Sequence, residues 1–154
     1  MNSTPANDWV SVTASPLAPD ELSAWVSRPE CGAIVTFCGI VRNSSTTGHE
    51  ITSLEYETSQ ELAERRINEI VAVTRSRWPA IAAVAAHHRM GHVELGGVAV
   101  VVAVSSPHRH DAFEAAAFCI DAVKTAVPMW KREVWEGGSI WSEEASDIVR
   151  IEDL

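Results

Sequence analysis

The sequence predicts a single domain of the α+β class, and three observations lead to this prediction. The chain has 154 residues, of which 46% are hydrophobic, enough for one core but too few for two. Short apolar runs typical of strands are interspersed with longer runs of helical period. No repeat or low-complexity linker divides the chain. We therefore expect residues 1–154 to form one domain with a mixed or antiparallel sheet, and about 1–8 and 143–154 to be flexible.

The first predicted elements are a strand, a short helix and a second strand. Residues 9–13 favour the first strand. Pro19, with two acidic residues directly after it, begins a helix that ends before Pro29, because proline and acidic side chains suit a first helical turn. Residues 32–41 form a long apolar run and predict the second strand.

A polar loop and a long amphipathic helix come next. Residues 43–48 are small and polar and separate the second strand from a third at 51–57. Thr58 or Ser59 can cap a helix that continues to about Trp78, where the following proline ends it. The positions that share the inner face of this helix are Ala63, Ile67, Ile70, Val71 and Thr74.

The second half of the chain adds two predicted hairpins. Residues 82–90 and 98–105 favour strands joined through a turn that contains two glycines. Near the end of the chain, residues 129–135 and 139–142 can pair across the two glycines at 137–138. A helix is predicted between these two hairpins along the chain.

Charge and cysteine content exclude several classes of protein. The net charge of −9 argues against nonspecific binding to nucleic acid or to an anionic membrane. Cys31, Cys38 and Cys119 form no CxxC pair and suit reduced core thiols, although Cys38 as a sulfur carrier is a less favoured alternative. No apolar run reaches the roughly 20 residues that cross a bilayer, and the first residues do not resemble a signal peptide. We expect a cytoplasmic protein.

The two lysines of the chain bracket one short segment. Lys124 and Lys131 lie seven residues apart, whereas the other ten basic residues are arginines. Pro128 lacks an N–H and disfavours helical backbone at the residue before it, so a helix over residues 111–126 must end there. Lys124 then lies in the last helical turn and Lys131 on the following strand.

The environment of Lys124 has two interpretations. Ile120, Ala117 and Phe113 precede it at helical spacing and predict that Lys124 lies on the buried face. Its stem could simply cover apolar surface while the ammonium reaches water. Alternatively, it is an active-site amine, because a partly desolvated ammonium beside other cations loses its proton more readily.

A second polar group lies at the start of the same helix. Residues 105–110 (SSPHRH) place two imidazoles and a guanidinium beside helical N–H groups, an arrangement that favours an anion such as phosphate or carboxylate. The alternative is a solvated strand end. Arg42, at the end of the second strand, is a further candidate because its planar fork binds phosphate through two bonds.

A cluster of histidines at residues 87–92 invites a metal hypothesis. The cluster lacks acidic or cysteine residues at ligand spacing, so we do not expect a metal site. His87 and Arg89 share one face of a strand and His88 lies on the other, so at most some of these side chains can reach one pocket, and we expect the others at a strand-edge surface.

Six motifs together resemble one known family, the catalytic (large) subunit of molybdopterin synthase. They occur in the family's order between about residues 32 and 141. The motifs are GIVRN at 39–43, LEYE at 54–57, HRMG at 88–91, SPHR at 106–109, AFE at 112–114 and KTAVPMWKRE at 124–133.

This resemblance implies a fold, a reaction and partners. The implied fold is of the α/β hammerhead type, and the implied assembly is a heterotetramer with a central homodimer and a small ubiquitin-like sulfur-carrier subunit at each end. The carrier's C-terminal glycine thiocarboxylate would supply two sulfurs that convert cyclic pyranopterin monophosphate (precursor Z) to molybdopterin, a step of molybdenum cofactor biosynthesis. The resemblance implies neither a metal nor a redox cofactor for this step.

The resemblance also implies roles for five residues. Lys124 would be the main catalytic amine, and Lys131 would assist it and hold the carrier tail or the substrate. Arg42, His108 and Arg109 would bind the phosphate and pterin of the substrate. We expect the lysine segment and the anion pocket to form one site.

Two other functions remain open from the residues alone. A lysine-dependent enzyme of another kind would form a Schiff base with a carbonyl substrate. A noncatalytic subunit would use the same cations to hold an anion or an acidic tail.

Overall fold

The computed structural model describes residues 6–45, 47–142 and 149–154. In these residues, eight strands and three α-helices alternate along the chain. The elements are β1 (Asp8–Thr13), α1 (Pro19–Val26), β2 (Ala33–Ile40), β3 (Ile51–Glu57), α2 (Gln60–Arg77), β4 (Val84–Arg89), β5 (Gly91–Glu94), β6 (Val98–Ser106), α3 (Arg109–Ala126), β7 (Trp130–Trp135), β8 (Gly138–Trp141) and a 3-10 turn (Ile151–Asp153).

The first sheet lies between two layers of helix. Its strand order is β1-β4-β6-β2, with β1 parallel to β4 and the other neighbours antiparallel. Since side chains alternate along a strand, Val84 and Ala86 join the core formed with α2 and α3, whereas Ala83 and Ala85 join the core formed with α1. The nearly continuous apolar sequence of β4 and β6 reflects burial on both faces.

The second sheet is antiparallel throughout. Its strand order is β5-β3-β7-β8. Leu54, Tyr56 and Trp135 pack on one side of it against a small core that includes Val41 and Val93. The mixed first sheet, the antiparallel second sheet and the three helices confirm the predicted α+β class.

The long helix α2 forms as the sequence predicts. Ser59 is its N-cap, and its hydroxyl accepts the N–H of Leu62 at 3.4 Å. Trp78 ends the helix immediately before Pro79. The buried residues of α2 are the predicted Ala63, Ile67, Ile70, Val71 and Thr74.

The predicted hairpin over residues 82–105 is only partly right. β4 and β6 do pair, but the chain between them forms the additional strand β5, which pairs with β3 in the other sheet. Gly91 and Gly96 have φ values of 78° and 79°, and these left-handed conformations turn the chain out of the first sheet and back again. A strand of four residues is too short to show a period, so the sequence pattern did not reveal it.

The predicted inner face of α3 requires correction. Phe113 is 61% exposed and Ala117 is exposed, so only Ile120 of the predicted stripe is buried. In a helix this rich in alanine, several stripes look equally apolar and the pattern does not select one. The buried residues are Ala112, Ala115, Ala116, Cys119, Ile120, Ala122, Val123 and Ala126.

The direction of α3 determines where the polar groups lie. Only Pro107 and His108 separate it from β6, and it packs along β6 and β2. The helix therefore runs back over β6, and its last turn lies above the beginning of that strand. Both ends of α3 are thus fixed to opposite ends of the first sheet.

The chain termini are only partly described. Residues 1–5 and 143–148 lie outside the described residues, so most of the stretches expected to be flexible cannot be compared. Asp8 already belongs to β1, and the N–H of Val149 donates to the carbonyl of Thr125 at 2.7 Å. None of the helices in the described residues is long and apolar enough to cross a membrane.

Candidate active site

Both lysines occupy the positions that the sequence predicts. α3 ends at Ala126, Val127 is extended, and β7 begins two residues after Pro128. Lys124 therefore lies in the last turn of the helix, and Lys131 is the second residue of the following strand. The proline-terminated helix brings two amines to one end of the fold.

The expected burial of Lys124 is wrong. The residue is exposed, because the buried face of α3 passes through Ala122, Val123 and Ala126 on either side of it. The amine of Lys124 is therefore not desolvated in the isolated chain. Any special reactivity of Lys124 must come from groups close to it.

His88 is the buried polar residue closest to this end of α3 along the sheet. It is 9% exposed and lies at the end of β4, paired with Val100 at the start of β6. His88 lies two residues after Ala86 and four after Val84 on the same strand. Its side chain therefore points to the same side of the sheet, which α2 and α3 cover. The imidazole therefore lies beneath the last turn of α3.

The hydrogen bonds and ring contacts of His88 fix its tautomer. Its Nδ1 lies 2.7 Å from the carbonyl oxygen of Arg89. A carbonyl can only accept, so Nδ1–H donates and Nε2 retains its lone pair. The ring also contacts Tyr56 edge to face, with 5.0 Å between centroids and 82° between planes. This contact limits rotation of the imidazole.

The electrostatics of the cluster keep both aromatic groups neutral. Burial, opposed by the hydrogen bond to Arg89 and assisted by the positive charge of Lys124, lowers the pKa of His88 to about 4. Burial raises the pKa of Tyr56 to about 12. The effect of Lys124 on His88 means that the two side chains are within electrostatic reach of each other.

Lys131 joins the same cluster from the second sheet. It lies directly opposite Tyr56 in the β3–β7 pair, so both side chains point to the same side of the sheet. The next residue, Arg132, points to the other side and forms an ion pair with Glu55. Lys131, Tyr56 and His88 therefore form a continuous polar group below Lys124.

Arg42 lies at this end of the molecule as well. Ile40 pairs with Val98 at the start of β6, and the N–H of Val41 donates to Gly97 at 3.0 Å. Arg42 follows at once and is exposed. Three of the five predicted site residues, Arg42, Lys124 and Lys131, thus converge on one region.

The loop after Arg42 is attached to β7. The hydroxyl of Ser45 donates to a carboxylate oxygen of Glu133 at 2.5 Å, and the ring of His49 stacks on Trp135 with centroids 3.9 Å apart. These contacts hold the polar loop beside the strand that carries Lys131. The sequence predicts the loop but none of these contacts.

His108 and Arg109 form a separate anion pocket. They line a cavity of about 500 Å³ together with Gly32, Pro107, His110 and Phe113. His108 is the N-cap residue of α3, yet its side chain makes no capping bond, and both His108 and Arg109 are exposed. Their side chains and the helical N–H groups are therefore available to an anion.

The expected single site does not form within one chain. Arg109 and Lys124 are separated by 15 residues of α3, which corresponds to about 22 Å along the axis at the usual rise of a helix. The anion pocket lies at the beginning of this helix and the amines lie at its end. The two groups therefore lie at opposite ends of α3 within one chain.

The sequence missed His88 and Tyr56 as candidate site residues. His87 and His88 are both buried, so neither lies at the strand-edge surface expected for side chains outside the pocket, and His87 packs against Trp9 on the α1 side. The two-residue alternation from Val84 through Ala86 to His88 was the signal that could have shown that His88 points into the core. In the described ranges, no three histidine, cysteine or acidic residues lie close enough to hold a metal ion.

A second cavity opens at Trp130, on the face of the second sheet opposite to the side chain of Lys131. It has a volume of about 670 Å³ and is lined by Glu57, Thr58, Ser59, Trp130 and Trp141. Trp130 is 47% exposed and Trp141 is 46% exposed. The guanidinium of Arg132 lies 5.7 Å from the ring centroid of Trp141. Exposed aromatic rings at the end of a sheet are typical of a protein-binding surface.

Comparison with known proteins gives consistent matches. The family model described as "MoaE protein" matches residues 12–126. The molybdopterin synthase catalytic subunit of Taeniopygia guttata is 38% identical over 136 residues, covering 88% of this chain and 87% of that protein. That of Bacillus subtilis (strain 168) is 40% identical over 130 residues, covering 84% and 82% respectively.

Solved structures show the same fold. Molybdopterin synthase from Staphylococcus aureus superposes with a TM-score of 0.80 at 35% identity and covers 86% of this chain and 95% of its own. A complex of subunits 1 and 2 of molybdopterin-converting factor from Helicobacter pylori 26695 has a TM-score of 0.70 at 20% identity, covering 92% and 94%. The predicted hammerhead-type fold is confirmed.

The depressed pKa of His88 predicts a loss of stability in acid. Between pH 6.5 and pH 4 the unfolded histidine binds a proton and the buried one does not, so stability falls as pH falls through this window. His88 should contribute about 2 kcal/mol to the loss between pH 7 and pH 5. Urea unfolding at both pH values should therefore show a smaller loss for His88→Gln than for the unsubstituted protein. Equal losses in the two proteins would contradict the assignment.

Proposed function

The chain belongs to the MoaE protein family, and we propose that it transfers sulfur from a thiocarboxylated carrier subunit to cyclic pyranopterin monophosphate, giving molybdopterin. It is an enzyme of the molybdopterin synthase type, in molybdenum cofactor biosynthesis. The observation that carries this function is the convergence of its only two lysines with Arg42 at one end of the fold. In a chain with a net charge of −9, this local positive charge suits an anionic thiocarboxylate and a phosphorylated substrate.

We assign the proton transfers to Lys124. Its amine is exposed, is carried on a rigid helix and lies beside two neutral aromatic groups, so it is the mobile proton donor and acceptor nearest the proposed reaction centre. Lys131 lies opposite Tyr56 and would hold the carboxylate of the carrier tail or the substrate. Arg42 would bind the substrate from the end of β2.

We propose that the substrate site is completed across a homodimer. His108 and Arg109 lie about 22 Å from Lys124 within one chain, which exceeds the reach of a small pterin phosphate. A second copy can supply them if the two copies meet along β2, the edge strand of the first sheet. A two-fold contact there is antiparallel, so it brings the pocket end of one β2 to the Arg42 end of the other.

The surface along β2 supports this assembly. Large apolar side chains that would be exposed in a single copy lie on this strand and on the neighbouring helix. They are Ile34, Phe37 and Ile40 on β2, with exposures of 43%, 36% and 57%, and Phe113 on α3. Phe113 also lines the anion pocket, so the apolar surface is continuous with the substrate groups.

We propose that the small carrier subunit docks at the cavity between Trp130 and Trp141. The Helicobacter pylori complex contains two different subunits of molybdopterin-converting factor, and a carrier is the expected second subunit here. The cavity is lined by Trp130, the residue before Lys131, and β8 is an edge strand among the described residues, so an added chain could pair with it. One carrier on each outer end of a central homodimer gives a heterotetramer.

We place this enzyme in the cytoplasm. The cysteines Cys31, Cys38 and Cys119 are all free, as expected for thiols kept reduced there.

Each of the two alternative functions predicts a different experimental result from the proposed one. A Schiff-base enzyme would need Lys124 beside a pocket for a carbonyl substrate, and borohydride would trap its adduct. A noncatalytic subunit would bind the carrier tail without making product. Single-turnover conversion of the pterin substrate, with this protein and a thiocarboxylated carrier, distinguishes all three functions because only the proposed enzyme forms the dithiolene.

Lys124→Ala should remove product formation, whereas Arg109→Ala should mainly weaken substrate capture. We expect at least a hundredfold lower single-turnover rate for Lys124→Ala with folding and carrier binding intact, because the amine is exposed and supports no core packing. Arg109→Ala should raise the half-saturating substrate concentration about tenfold, since one phosphate contact is lost. Arg65→Ala removes an exposed guanidinium from α2 and serves as the charge control. A near-normal rate for Lys124→Ala would exclude its catalytic role.

Mixed dimers of the two variants should recover activity. If each site takes Lys124 from one copy and Arg109 from the other, a mixed dimer has one intact site and one doubly defective site. Random mixing should then give about one quarter of the unsubstituted activity at low substrate, although each variant alone is nearly inactive. The measurement is the initial rate after the two proteins are unfolded and refolded together. Activity no higher than the mean of the separate variants would place both residues in one chain's site.

Trp141→Ala should weaken carrier binding. Loss of an exposed ring at the centre of the proposed docking cavity should raise the dissociation constant at least tenfold. Leu95→Ala removes a similarly exposed apolar side chain near β5, at the other edge of the second sheet, and should not change it. Titration calorimetry with the carrier measures both. Equal dissociation constants for the unsubstituted protein and both variants would show that the carrier docks at another surface.

A further inference from the structure

The proposed reaction leaves one buried group at the site without a function. His88 is the only described histidine that lies beneath the last turn of α3, and the family motif around it has been given no role in the site above. A histidine buried without its proton in an apolar core is costly unless its polar atoms are matched. Arg89 matches Nδ1–H, whereas no hydrogen bond to Nε2 is formed within the described residues, so the question concerns Nε2.

Three features of its surroundings determine what Nε2 can do. The Arg89 carbonyl oxygen accepts a hydrogen bond from Nδ1–H, with 2.7 Å between nitrogen and oxygen, and this leaves Nε2 as an acceptor. The Tyr56 ring, perpendicular to the imidazole, restricts its rotation. The return of α3 over β6 brings the last turn of the helix over the imidazole, through the pairing of His88 with Val100.

We propose that the Nε2 lone pair of His88 accepts a hydrogen bond from the Lys124 ammonium and holds that amine in place for the reaction. This inference rests on the proposed function of Lys124 as the reacting amine. His88 is thus a positioning residue that acts through Lys124 and does not itself touch the substrate.

The chemistry of the two side chains favours this role over a direct proton transfer by His88. The buried imidazole has a pKa of about 4 and carries no proton to give near neutral pH. The lysine ammonium has three donors on a flexible four-carbon stem, and an exposed lysine samples many rotamers. One acceptor at a fixed position selects the rotamers that point toward Lys131 and Tyr56.

This arrangement also agrees with the effect of Lys124 on the pKa of His88. The positive charge of Lys124 opposes protonation of His88, so the imidazole stays an acceptor near neutral pH. A misplaced amine is a sufficient reason for a large loss of rate, because displacement of a reacting group by about 1 Å can cost about a hundredfold.

The low lysine content permits a direct test that needs neither carrier nor substrate. With nitrogen-15 lysine, only Lys124 and Lys131 give side-chain ammonium signals. A hydrogen bond slows exchange of ammonium protons with water, so His88→Leu should accelerate exchange at Lys124 about tenfold and leave Lys131 nearly unchanged. His88→Gln, which keeps an acceptor near the position of Nε2, should change it less than threefold.

His87→Leu is the matched control for this measurement. His87 is the preceding residue, is equally buried at 7% exposure and lies on the α1 side of the same strand, against Trp9. It should leave the exchange at Lys124 unchanged. Unchanged exchange in His88→Leu, or the same acceleration in His87→Leu, would overturn the proposed hydrogen bond.

Single-turnover kinetics in the complete complex test the positioning role. His88→Leu should lower the maximal rate 10- to 100-fold with little change in half-saturating substrate, and His88→Gln should recover most of it. A normal rate in His88→Leu, with exchange at Lys124 accelerated, would overturn the positioning role. If the unsubstituted complex makes no product although exchange shows the hydrogen bond, the proposed function fails and the His88–Lys124 contact stands.

Discussion

The packing of α3 along β6 is the constraint on which the rest of the structure depends. The face of the helix that meets the sheet is mostly alanine, including Ala112, Ala115, Ala122 and Ala126, and small side chains allow the backbones to approach closely. Because the helix returns directly after β6, its start and its end are assigned to opposite ends of the sheet. The anion pocket and the amines owe their separate positions to this one contact, and the proposed second copy would bring them together.

The positive potential of the proposed site depends on its neutral neighbours as well as on its cations. The chain is acidic, yet the cluster around Lys124 contains a neutral imidazole and a neutral phenol whose burial keeps them uncharged. The ammonium groups and Arg42 therefore provide the positive potential there. Glu133, on the same strand as Lys131, is engaged by the hydroxyl of Ser45. A site of this kind attracts anions by local means although the whole molecule repels them.

Sequence patterns predicted the elements well and the faces of those elements less well. The cap at Ser59 and the inner face of α2 could be predicted because large aliphatic residues recur there with a clear period. In α3 the alanines left several faces equivalent, and the wrong one was chosen. The strand β5 has only four residues, and its pairing with β3 depends on glycine conformations that periodicity does not report. Lys124, Lys131, Arg42, His108 and Arg109 could be chosen from residue chemistry, but their division into two groups follows from helix length and direction, which require the sheet to be known.

The edge strand β8 has a consequence for the life of the chain in the cell. Its four residues, Gly138–Trp141, carry no charge and no proline, and they include the exposed Ile140 and Trp141. Natural sheets usually blunt such an edge with charges, proline or a bulge, because an open edge recruits strands from other proteins. A copy made in excess of its partner would therefore be a template for aggregation. Balanced synthesis of the subunits is, on this view, a requirement of protein quality control as well as of biosynthetic output.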